Sequence, residues 1–130
     1  MYRTNFFEPI SNWCRKNNLQ LVGHVSGEED PTWHPASGGA YANMKYMDTP
    51  GVDILTQNLG NRKRPSLLFG THSISSAARQ LGRERVLCEA MACNPYSYGP
   101  RDMRRVTNWL YSQGVNWIVP HGFYYSYDGC

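Results

Sequence analysis

The sequence predicts an α/β fold made of four consecutive βα units with parallel strands. Three observations lead there. Four short apolar runs bounded by Gly, Pro or Asn read as buried strands. Segments with apolar residues at helical spacing lie between them. No two-residue hairpin signal joins any strand to the next, so each connection must be a crossover.

Taken in order, Ile10, Trp13 and Cys14 stand at i, i+3 and i+4, with Pro9 placed for the first turn of a helix. The run Leu19–Val25 follows the Asn17-Asn18 turn and is the first strand. Tyr41 to Met47 carries a weaker helical pattern. Pro50-Gly51 introduces the second strand, Gly51–Leu55. Ile74, Ala77, Ala78 and Leu81 mark the next helix, with Ser73 as the expected N-cap and Gly82 as the stop. Arg85–Ala90 is the third strand. Met103, Val106, Trp109 and Leu110 define a helix that Gly114 ends, and Val115–Pro120 is the fourth strand.

The spacing is regular. Leu21 to Val52 is 31 residues, Val52 to Val86 is 34, and Val86 to Trp117 is 31. A (β/α)8 barrel of about 250 residues allots about 31 to each unit. A doubly wound open sheet has a similar rhythm, so periodicity alone fits both architectures.

Composition narrows the function classes. The 130 residues are 41% apolar and 18% charged, a globular balance of the size of one domain. No run approaches the roughly 18 apolar residues of a membrane span. A net charge of +3 falls short of the basic excess of a nucleic-acid-binding domain, and neither nucleic acid nor membrane is expected as a partner. The run Arg62-Lys63-Arg64 sits among Gly60, Asn61 and Pro65 and reads as a solvated loop. Cys14, Cys88, Cys93 and Cys130 show no metal-ligand spacing, and Cys88 reads as a small buried hydrophobe. Dinucleotide, P-loop, nucleophile-elbow and zincin motifs are all missing from the sequence.

In both parallel architectures chemistry gathers at the C-terminal ends of the strands. The first strand delivers His24 and then the acidic loop Glu28-Glu29-Asp30, the second Asp53, the third Glu89, and the fourth His121. Each has a plainer reading: His24 and His121 as satisfied buried histidines, Asp53 as a loop anchor, and the acidic loop as a solvated turn. Glu89 is the sharpest candidate, because a carboxylate inside an apolar strand is costly unless it serves a site or a salt bridge. Arg85, Arg101 and Arg104 are the candidate salt-bridge partners. Trp33, Tyr96, Tyr98, Phe123, Tyr124, Tyr125 and Tyr127 follow strand ends, and rings with a polar tip suit sugar faces.

The ordered segments also resemble a known family. They are Gly23-His24-Val25 with Glu28-Glu29; Tyr46 to Leu55; Ser75 to Gly82 leading into Arg85–Glu89; Asp102 to Tyr111; Gly114–Asn116; and Val119 to Ser126. Their succession, from about Trp13 to Tyr127, resembles the catalytic (β/α)8 barrel of the α-L-rhamnosidases of glycoside hydrolase family 106. The resemblance implies that residues 1–130 are a single partial segment of a TIM barrel from a secreted or periplasmic bacterial protein. It implies Glu89 as general acid, in apolar surroundings that would raise its pKa, with His24, Asp53, His121 and Tyr124 lining a carbohydrate pocket. It further implies an inverting, calcium-assisted reaction, with no calcium ligand matched to a position. The second carboxylate, roughly 6.5–9.5 Å away in inverting enzymes, is expected on a later strand, in the remainder of the barrel. The alternative reading is a small open-sheet α/β domain that binds a ligand without catalysis.

Overall fold

The computed structural model describes residues 1–28, 30, 32–35, 37–57, 59 and 66–122, with the side chains of residues 66 and 67 left aside. The run Arg62-Lys63-Arg64, together with Glu29, Phe123, Tyr124, Tyr125, Tyr127 and Cys130, lies outside the described residues.

A π-helical turn, Arg3–Phe7, runs directly into α1, Glu8–Lys16, with Pro9 in its first turn. Then follow β1 (Val22–Gly23), α2 (Ala40–Met44), β2 (Thr49–Ile54), α3 (Ser66–Gln80), β3 (Leu87–Ala90), α4 (Pro100–Ser112) and β4 (Trp117–Pro120). Strands β1, β3 and β4 are shorter than the apolar runs that mark them, whereas β2 starts two residues before its run and stops one residue short of its end. Leu19–Val25 contributes only two paired residues, because Gly23 at φ +139° turns the chain out of the sheet.

The four strands are all parallel and lie in chain order, β1-β2-β3-β4. They form a curled half-barrel sheet alternating with helices. A doubly wound sheet reverses its order at a switch point, whereas a barrel keeps strands sequential. The sequential order is the barrel arrangement.

Alternation along the strands separates two faces. Val52, Ile54, Cys88 and Ala90 join Met44, Ile74, Ala78, Val106 and Leu110 in the core between sheet and helices. Asp53 and Glu89 point the other way and remain half-buried. No helix among the described residues is long and apolar enough to cross a membrane.

Three helices differ from expectation. Helix α2 spans Ala40–Met44 and stops three residues short of Met47. Helix α3 starts at Ser66, not after Ser73, so Ser73 is a mid-helix residue and no N-cap. The added turns hold Gly70 and Thr71, both buried, and these small side chains let the helix lie against β2. Helix α1 buries Ser11 and Cys14, following Phe7, and leaves Trp13 60% exposed. The Ser11 hydroxyl donates to the Tyr46 carbonyl at 2.8 Å, so a polar residue occupies the inward stripe that the apolar count gave to Trp13.

Candidate functional site

Register brings the site together. Asp53 on β2 is the direct partner of Glu89 on β3, so both carboxylates leave the same face of adjacent strands. His24 follows β1 immediately, and His121 follows β4; its N–H donates to the Ala90 carbonyl at 2.7 Å. Four strand ends therefore supply one rim.

His24 is its hub. Its Nε2 donates to Glu89 Oε2 at 2.8 Å and stands 3.9 Å from Asp53 Oδ2. On the other side of the ring, Nδ1 lies 3.2 Å from Glu28 Oε1 and 3.2 Å from the Val25 carbonyl oxygen. Both ring nitrogens face acceptors, which requires a proton on each. The hydrogen bond to Glu28 is the main cause that lifts the His24 pKa from 6.5 to about 10, outweighing the downward pull of burial, and Glu89 adds to it. His24 is an imidazolium at neutral pH. His121 approaches the second oxygen of Glu89, with Nε2 3.7 Å from Oε1.

The surroundings of Glu89 are not the apolar enclosure its chain neighbours suggest. Cys88 and Ala90 alternate onto the core face, and the Glu89 side chain, 30% exposed, stands between two histidines. Its oxygens face His24 and His121; among the described residues no ion pair runs from it to Arg85, Arg101 or Arg104. Cys88 itself is fully buried. Burial pushes its thiol up to about 12, which keeps it protonated and removes it as a nucleophile.

Glu28 is the residue that the solvated-loop reading missed. Its side chain is 1% exposed, and Oε1 accepts the Asp53 backbone N–H at 2.7 Å as well as facing His24. It ties the first strand end to the second. Its spacing of four from His24 was the available signal, but outside a helix that spacing carries no geometry. Asp30, by contrast, is spent locally: its Oδ1 accepts the amide N–H and the hydroxyl of Thr32. Asn94, after β3, braces the exit of β2 by accepting the Gln57 N–H at 2.9 Å and donating to the Leu55 carbonyl at 3.4 Å. Met91 and Cys93 between them hold positive φ values of +70° and +50°, a costly conformation for such side chains next to the rim. Of the loop aromatics, Trp33 and Tyr96 are exposed and Tyr98 packs against the core, while Tyr124 lies outside the described residues.

No family model, curated protein or solved structure matches this chain.

The donor set also bears on the implied calcium ion. His24 Nε2, Asp53 and Glu89 offer ligand atoms within 4.8 Å of one another. Calcium takes about six to eight oxygen ligands, and an imidazole nitrogen at the centre of the group does not fit that preference.

Proposed function

We propose that the chain is a four-unit segment of a glycoside hydrolase (β/α)8 barrel, of the α-L-rhamnosidase type, with Glu89 as general acid. One observation carries this reading: the ends of four sequential parallel strands converge on a half-exposed carboxylate held by two histidines. Chemistry in parallel barrels sits at that rim.

In the proposed reaction Glu89, protonated on Oε1 while Oε2 accepts from His24, gives its proton to the glycosidic oxygen, the bond from that oxygen to the anomeric carbon breaks, and water adds to the anomeric carbon as a second carboxylate takes its proton. His24 orients the carboxyl through its 2.8 Å hydrogen bond. Asp53 and His121 flank it and are placed to hold sugar hydroxyls. Asp53 is not the second catalytic carboxylate of an inverting pair. Its oxygen lies within 4.8 Å of that of Glu89, closer than the roughly 6.5–9.5 Å of inverting pairs. The reading therefore assigns that carboxylate to the remaining barrel units.

The test is a leaving-group comparison in a protein carrying all eight units. Glu89→Gln should lower kcat on an alkyl α-L-rhamnoside by about 10²–10⁴-fold. On a dinitrophenyl rhamnoside, whose leaving group needs no proton, most of the rate should remain. Equal losses on both substrates, or no loss on either, would remove Glu89 as the acid.

A further inference from the structure

Three carboxylates, those of Glu28, Asp53 and Glu89, close on the single imidazole of His24. They come from the ends of three different strands, so no local run of charge explains the grouping. His24 Nε2 and one carboxylate oxygen from each of Asp53 and Glu89 lie within 4.8 Å of one another. A second observation lies beneath them. Glu28 is buried, its Oε1 engages His24 Nδ1 and the Asp53 N–H, and its Oε2 has no hydrogen-bond partner among the described residues. A carboxylate behind the Nδ1–H of a histidine is the arrangement that fixes an imidazole for metal ligation through Nε2.

The geometry points to a site for a divalent first-row transition ion of the zinc class, ligated by His24 Nε2, Asp53 and Glu89, with Glu28 as the positioning residue. Water completes the coordination shell. Ligand distances of about 2.0–2.2 Å place tetrahedral donors about 3.4 Å apart. The His24–Glu89 separation of 2.8 Å must open by about half an ångström and the His24–Asp53 separation of 3.9 Å must close by as much, both within side-chain reach. On binding, the Nε2 proton leaves to solvent as the metal–nitrogen bond forms, and the Nδ1 proton stays on the ring, donated to Glu28 Oε1. The nitrogen donor selects zinc over calcium.

This site does not rest on the glycosidase reading. A metal on Glu89 leaves that carboxylate no proton to give, so zinc would inhibit any hydrolysis that depends on it.

The experiment is equilibrium dialysis of the chelator-stripped chain, its exposed thiols blocked with iodoacetamide, against zinc chloride or calcium chloride. One zinc per chain is expected, undiminished by a hundredfold excess of calcium. Cobalt(II) should give the intense visible absorption of a low-coordinate site, a readout that needs no variant. His24→Ala should abolish stoichiometric zinc, and Glu28→Gln, which keeps the side-chain shape, should weaken it about 10–100-fold. Where a variant loses its native circular dichroism, the wild-type zinc-against-calcium competition decides. Absence of zinc binding, calcium binding as tight as zinc, or undiminished zinc in a folded His24→Ala chain would each overturn the site.

Discussion

Glu28 and His24 make each other tolerable. A carboxylate that is 1% exposed needs a cation or hydrogen bonds, and an imidazolium four residues earlier supplies both. The consequence for pH follows from the direction of the His24 shift. Its folded pKa, about 10, lies above the value of 6.5 that it has when unfolded. The stabilisation is therefore fully present below the unfolded value and is lost progressively as pH rises toward the folded one. In metal-free protein, the gap in denaturant midpoint between wild type and His24→Gln should be constant near pH 6 and shrink steadily to pH 10. A gap that stays constant across that window would show that the hub does not titrate as described. The residues Glu89, His24, Asp53 and His121 were legible because titratable side chains at the ends of apolar runs are conspicuous. Glu28 was not, because an acidic loop has the same composition whether it is solvated or folded beneath a histidine. Tertiary placement alone separates the two.

At the scale of elements, the helices were legible in type, and α3 and α4 also in their C-terminal ends, whereas α2 ends at Met44 and not at Met47. Gly114, at φ +95°, ends α4 as its position predicts, and a Cβ there would meet the Ser75 side chain as well. The inward faces were less legible. Ser11 takes the place expected of Trp13 because a hydroxyl that reaches a carbonyl can be buried without penalty, a compensation that hydrophobic periodicity does not register. Gly51 shows the same limit in a strand. It is expected to open the second strand, but it lies third in β2, where β1 approaches so closely that a Cβ would fall 2.7 Å from the Gly23 carbonyl oxygen. That neighbour is backbone and cannot rotate away. Gly51→Ala should cost about 1–3 kcal/mol through strand displacement, read as a lowered Tm with unchanged secondary structure. An unaltered Tm would mean that the β1–β2 contact is looser than it stands here.

At the scale of the whole molecule, the sheet has two open sides among the described residues. Among the described residues β1 pairs only with β2 and β4 only with β3, and Val22 and Val119 on these strands are 39% and 37% exposed. Unpaired apolar edges template further pairing. The isolated chain should associate in a concentration-dependent way by sedimentation velocity, and Val119→Lys should weaken that association. A compact monomer at every accessible concentration would count against open edges. What the sequence by itself determined is the set of alternating strands and helices and the chemical types carried to one rim, because period, turn residues and strand-end position are local properties. The tertiary structure decided the rest. Strand order chose the curled barrel arrangement over the doubly wound one, and the Asp53–Glu89 register set their separation. The hydrogen bond between Glu28 and His24 made His24 an imidazolium. Each depends on which residues from distant segments meet, and no local pattern encodes the distance between them.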